Sequence, residues 1–545
     1  MKFALVTFGM ILAVGITTAQ DHPAMDSARP AVLMSGLGNL HHPISTKSAE
    51  AQRFFDQGLT LDYAFNHDEA ARSFHRAAEL DPQAAMPWWG VALAVGPNYN
   101  LDVDPAREKE AYDAIQKARA LAANGPENER AYIEALARRY SNASKSDFKA
   151  LAVDYKKSMR DLVARYPDDL DAATIYAESM MDLHPWQLWT LDGKPTEGTD
   201  EIIAVLQSVL RRDPQHIGAN HYYIHAIEAS PHPEQALTSA HRLDTLVPAA
   251  GHLVHMPAHI YERTGYYAQA AEANRAGATA DRNYLGTIGA PGGIYRLHYY
   301  SHNLRFLAQS ASMQGQFAEA KHAADQLVAN VSASVKQMPK LESFLPMSIY
   351  MLVRFNRWNE ILNLPAPDSS LSVTTALWHY ARGVAFAGQS DTPKAQQERV
   401  ALAAAIQKLP ADAKFGMSTA RSVLGLALEV LDARLAAVQG DRKGSIEHWW
   451  HAVAMQDAMA YSEPPDWYYP VRESLGAALA NDGQFDEAAK VFRADLDQNP
   501  RNPRSLFGLY ETLKAQNKMA DAHWVHQEFE KAWKDADVQL QMKDL

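Results

Sequence analysis

Cysteine is absent from all 545 residues. That excludes disulfides, thiolate metal sites, cysteine nucleophiles and a lipid-modified N-terminal cysteine. Long basic runs are absent too: 52 Lys and Arg face 64 Asp and Glu, for a net charge of −12. With no cationic stripe to displace phosphate counterions, no nucleic-acid partner is expected. The doublets Arg138-Arg139 and Arg211-Arg212 read as solvated helix ends. Alternating Val/Ile-rich runs between turns do not occur, so the strand signal is missing. Past the N-terminus no apolar run reaches the roughly 18 residues of a membrane span. HExxH, the phosphate loop and Gly-x-Ser-x-Gly are also missing. Hydrophobic residues at 47% and charged residues at 21% still describe a folded chain, which excludes disorder over most of the length.

The N-terminus has the form of an export signal. Lys2 precedes an apolar stretch over residues 3–16, interrupted by Gly9 and Gly15. Thr17 and Ala19 then place small residues before Gln20. This pattern predicts cleavage after residue 19 and a periplasmic or secreted protein with no membrane span thereafter. Residues 20–50 then form an N-terminal extension.

The remainder repeats. Residues 54–82 read FFDQGLTLDYAFNHDEAARSFHRAAELDP, with small residues at Gly58, Ala70 and Ala77 against large ones at Phe54, Phe74 and Leu80. Residues 475–500 repeat the scheme through Gly476, Gly483, Phe485, Ala488, Phe492 and Pro500. Residues 265–270 (GYYAQA) and 315–320 (GQFAEA) do so again. A small residue in one helix, a turn glycine, an aromatic two later and alanine in the next helix resemble the tetratricopeptide (TPR) repeat. The resemblance covers residues 51–533. It implies an all-α fold, a right-handed α-solenoid of helical hairpins. Its concave groove would take a peptide, a small molecule or a protein partner. One array over 51–330 would carry the histidines, and a second would fill 331–545. Irregular inserts at 185–195, 286–293 and 463–470 are candidate binding loops.

Histidine is concentrated where chemistry is expected. Ten of the 22 histidines lie between His216 and His302. His221, His225 and Glu228 stand in HYYIHAIE, and His255, His259 and Glu262 stand in HMPAHIYE. The pattern HxxxHxxE recurs at an offset of 34 residues, one TPR length. Within each motif the side chains fall at i, i+4 and i+7, on one helix face. Two imidazoles one turn apart grip a metal ion. Helices packed about 8–10 Å apart bring two such pairs near one ion, or near two close ions. Each glutamate is then a catalytic candidate, as outer-shell partner or proton acceptor.

Counting from Gly265 puts His252, His255 and His259 at repeat positions 2, 5 and 9, which face the groove in proteins this sequence resembles. His302 takes position 2 before Gly315, with His298 one turn earlier. Glu178 takes position 9 one repeat upstream of His225. The expected ligands are therefore Glu178, His221, His225, His252, His255, His259, His298 and His302. Imidazole and carboxylate without sulfur suit a divalent transition metal: Zn, Cu, Fe or Mn. Pro257 is expected to kink or delay its helix. Tyr222, Tyr223, Tyr261, Tyr299 and Tyr300 are expected mainly to fill the core. Asn98, Asn100, Asp102 and Asp104 alternate like the start of a calcium loop, but glycine and glutamate are missing at its sixth and twelfth places. Three readings result: a metalloenzyme (hydrolase or oxidoreductase), a metal carrier, or a metal-free scaffold holding a peptide or protein.

Overall fold

The computed structural model describes residue 29 and residues 31–101, 104–143, 146–288 and 293–545. The signal segment 1–19, Asp102 of the polar loop and residues 289–292 of the second insert lie outside the described residues. Helices follow one another from Ala49–Tyr63 to Met519–Ala532, each packed on its neighbour as antiparallel hairpins. Among the described residues the sheet content is one short hairpin, Lys414–Phe415 against Ser418–Thr419. The chain is an all-α, TPR-like solenoid. No helix among the described residues is long and apolar enough to cross a membrane.

Notches of glycine bring the helices together. A Cβ on Gly58 would come within 2.6 Å of the Phe74 ring, and Gly90 packs on the same ring from the next hairpin. Gly476 and Gly508 hold Phe492 in the same way in the second half. Phe74 and Phe492 are fully buried, and each contributes about 1.5–3 kcal/mol by leaving water. The hairpin turns share a chemistry as well. Gly265 and Gly315 sit at φ +77° and +74°. The amides at 265 and 266 donate to the carbonyls of 262 and 261, and those at 315 and 316 to 312 and 311. This is the two-bond helix stop that needs a left-handed residue.

Two apolar cores run through the molecule. The first extends from Ala31 to Phe306 and the second from Ala271 to Leu545, so they meet over residues 271–306, upstream of residue 330. The N-terminal extension is docked on the first: Gln57 bonds to Met34 N and Val32 O, and His42 Nδ1 lies 2.8 Å from Asp171. The second half folds back on the histidine-bearing repeats. Arg501 lies 4.1 Å over the Tyr266 ring, and Arg305 donates to the carbonyls of Pro464 and Pro465 at 3.2 and 2.9 Å.

Candidate metal centre

Three successive repeats supply the histidines. Helix Ile217–Ile227 starts under a cap in which His216 Nδ1 accepts from Ala219 N, and it carries His221 and His225. Gly218 lets Tyr63 lie against this helix, since a Cβ there would meet the ring at 2.6 Å. The next helix is interrupted into Gly251–His255 and Pro257–Arg263. Pro257 removes a hydrogen bond, yet Met256 keeps helical angles of φ −52° and ψ −34°. His252, His255 and His259 therefore stay on one side. A π-helical turn, Tyr295–Tyr300, leads into Ser301–Met313, which carries His302.

The rings form two triads. One ring nitrogen each of His221, His225 and His252 lies within 4.8 Å of the others, and the same holds for His255, His259 and His302. In the first, Nε2 of His221 and His252 are 3.2 Å apart. In the second, Nε2 of His259 is 2.9 Å from that of His255 and 3.4 Å from that of His302. Each triad is an HxxxH pair completed by the position-2 histidine of the following repeat. Glu228 joins them, with Oε1 2.9 Å from His225 Nδ1 and Oε2 2.5 Å from His259 Nδ1. The rings are buried rather than open to a groove: His221, His255 and His259 are 0% exposed, and only His302 is partly accessible.

Hydrogen bonds assign the ring protons. His221 Nδ1 faces the Tyr63 carbonyl at 2.6 Å. His255 Nδ1 faces Asn274 Oδ1 at 2.6 Å, and the Asn274 amide nitrogen donates to Ala270 O. Carbonyl and carboxylate oxygens only accept, so Nδ1 carries the proton on His221, His225, His255 and His259. In the neutral rings their Nε2 atoms are then bare lone pairs turned inward. Two bare nitrogens 2.9 Å apart repel unless a cation lies between them. Imidazoles at 2.0–2.1 Å from a tetrahedral ion stand ~3.3 Å apart, close to the spacings seen. His225 Nε2 is buried without a hydrogen-bond partner among the described residues. Burial, reinforced by neighbouring imidazoles, holds His221, His252, His255 and His302 well below the usual imidazole pKa. Burial would raise Glu228, but His259 and His225 overcome it and hold the carboxyl down to about 2. Neutral rings beside a carboxylate are the protonation states that metal binding requires.

Several residues of the centre carry no motif. Tyr63 positions His221 through its carbonyl while its hydroxyl donates to Asp171 at 2.7 Å. Phe65 occupies the turn place held by Gly265 and Gly315, with the same two amide bonds, at φ +55°. A non-glycine residue there is strained by about 1–3 kcal/mol. Its ring lies 4.5 Å from His221 and stacks on His252 and His225 at 5.3 and 5.7 Å. The missing turn glycine was the available signal. Tyr99 and Trp186 cover His225 at 5.4 and 5.9 Å, with Trp186 Nε1 donating to Asn100 Oδ1. Thus the insert at 185–195 roofs the first triad. Phe306 packs on His255 and His259 at 5.0 and 4.8 Å.

Two expected ligands, Glu178 and His298, and the catalytic candidate Glu262 join neither triad. Glu178 is buried beside Asp182, which pairs with Arg139. Burial and Asp182 push its carboxyl well up. His298 lies in the π turn, whose wider winding breaks the i,i+4 register with His302; its ring faces Phe344 at 6.5 Å. Glu262 accepts from Ser310 Oγ at 2.5 Å, and burial pushes it up to about 8. The ladder ends there because Arg305 and Gln309 stand, three and seven residues after His302, where His255 and His259 stand after His252. Of the tyrosines, Tyr222 and Tyr261 are core, and Tyr299 touches His252 at 5.0 Å. Asp104 caps helix Pro105–Leu121 by accepting from the amides of Ala106 and Arg107.

Fold and site together define a helical-repeat protein with a buried double-histidine centre. No family profile and no curated protein matches the chain. Among solved structures, the human IFIT1 dimer with m7Gppp-AAAA is similar at 13% identity and TM-score 0.33, covering 90% of this chain and 92% of that one. The APC/C Cut9-Hcn1 hetero-tetramer is similar at 11% and 0.34, covering 90% and 80%. The TPR domain of P58(IPK) is similar at 11% and 0.20, covering 86% and 99%. At such TM-scores these likenesses decide nothing about ligand or activity.

Proposed function

We propose that this protein is an exported TPR-like metalloprotein binding two transition-metal ions, one in each histidine triad, with Glu228 as their shared outer-shell carboxylate. The observation that carries this reading is the facing of bare imidazole nitrogens in the sealed interior. Three protein ligands per ion leave a position open, as catalytic rather than closed structural sites do. Six imidazoles with no inner carboxylate favour Zn, Cu or Fe over Mn. Either hydrolysis or oxidation is open to such a pair. Elemental analysis after purification without chelator is expected to find two ions per chain. The double variant His225→Ala with His259→Ala is expected to lose both. Unchanged metal content in that variant removes the assignment. Export rests on Lys2 and the apolar residues 3–16, and cell fractionation is expected to recover a chain starting near Gln20.

A second reading concerns the cleft between the two halves, about 1050 Å³. Eight carboxylates, Asp192, Glu234 and Asp497 among them, line it against three arginines, Arg263, Arg472 and Arg501, with Trp189 and Tyr461. This acidic, aromatic wall favours a cationic peptide as a separate ligand. Binding of a lysine-rich peptide, measured by tryptophan fluorescence and weakened by salt, tests it; binding indifferent to salt counts against it.

A further inference from the structure

We propose that the two triads hold a pair of copper(I) ions that binds one dioxygen molecule between them. The inference rests on the binuclear reading above and names its ion and its small-molecule ligand.

The charge balance favours a monovalent pair. Among the described residues, the one carboxylate bonded to the rings is Glu228, and both its oxygens are engaged by His225 and His259 Nδ1. Arg263, which donates to the Glu228 carbonyl at 3.0 Å, faces Glu463 at 4.0 Å and stays outside this count. Two dications would leave three uncompensated charges in a buried aromatic shell, whereas two copper(I) ions leave one. Burying unpaired charge is expensive, so the lower total is preferred. Coordination number agrees. Three neutral nitrogens satisfy copper(I), whereas zinc requires a fourth ligand.

The surroundings suit dioxygen better than a hydrolysable substrate. Rings of different triads approach one another: His225 lies 5.6 Å from His259, and His252 lies 5.7 Å from His255. The walls are Phe65, Tyr99, Trp186, Tyr299 and Phe306. Hydrolysis is helped by a free general base to take the proton of the attacking water. Glu228 is spent on the ligand rings and Glu262 on Ser310. A small apolar diatomic needs neither a base nor an open groove. The step balances without a further reactant. Each copper(I) gives up one electron, dioxygen takes both and is held as peroxide by two copper(II) ions, and no proton moves. Withdrawal of dioxygen reverses it.

Metal-stripped protein loaded with copper(I) under anaerobic conditions, then exposed to air-saturated buffer, tests this. The expected result is two copper ions per chain, one dioxygen taken up per pair and an intense near-ultraviolet charge-transfer band. The oxidised pair is expected to give no copper(II) paramagnetic resonance signal. His302→Gln, at the accessible rim, is expected to halve the copper and reduce the band at least tenfold. Two coppers per chain that stay reduced, or that oxidise to two independent paramagnetic signals, overturn the dioxygen pair while the metal reading stands. Zinc held at two per chain with copper(I) not retained overturns the copper assignment alone. Retention of neither metal overturns the reading beneath both.

Discussion

The two triads are one construction used twice, with their HxxxH pairs 34 residues apart and their completing histidines, His252 and His302, 50 apart, and they differ in what surrounds them. His221, His225 and His252 lie under a roof of Phe65, Tyr99 and Trp186. His255, His259 and His302 lie against Phe306, with His302 partly accessible and the Arg305 clip to Pro464 and Pro465 three residues on. Repetition supplies the ligands, and the irregular parts of the chain decide which triad is sealed and which lies nearer the cleft. A position-2 glycine, Gly218, opens the ladder, and Arg305 with Gln309 closes it.

The largest test of this symmetry is Glu228→Ala. One oxygen serves each triad, so both are expected to lose about 10–100-fold in metal affinity, measured by chelator competition. Weakening of one triad only would show that the carboxylate is not shared. Metal removal follows in size. At free metal about 1,000-fold above Kd, the bound ions stabilise the chain by about 4 kcal/mol per site, read as a fall in Tm on chelation.

Acid separates the metal-free protein from the metal-bound one. The folded-state pKa values of His221, His252, His255 and His302 are depressed below the unfolded 6.5. Between the two values the unfolded chain binds more protons, so stability rises with pH. It is fully present above about 6.5 and is lost as pH falls below that. Thermal melts of the metal-free protein from pH 7.5 to 5 are expected to show this decline. A flat profile would mean that folding leaves the ring pKa values unshifted, and stability rising toward acid would mean that the buried rings are protonated in the fold.

Smaller effects distinguish the two sites. Asn274→Leu removes the acceptor on His255 Nδ1, so the second triad is expected to weaken about tenfold while the first keeps its affinity. Phe65→Gly relieves left-handed strain worth about 1–3 kcal/mol but strips the roof of the first triad. Chemical denaturation is expected to show a net loss, because truncating the buried ring costs about 3–5 kcal/mol, and metal titration a loss confined to the first site. Equal losses at both sites would end the distinction.

Much of this was legible in residue order. The notches at Gly58 and Gly476, the turn glycines and the 34-residue echo of HxxxHxxE each impose a local geometry. The grouping into triads was not. His252 sits among His255 and His259 in the chain yet completes the site of His221 and His225, because helix packing sets it beside the preceding repeat. Glu228 and Glu262 look alike in sequence and diverge because one meets His259 and the other Ser310. Tyr63 acts through a backbone carbonyl, which no side-chain pattern reveals.

Alone, the order of amino acids determined helical hairpins and a ladder of imidazoles on consecutive helices, since periodicity and turn conformation act over a few residues. Only the tertiary structure decided which rings face which, where their protons sit and that aromatic side chains close over them. Those outcomes depend on distances between repeats, which packing of the whole solenoid sets.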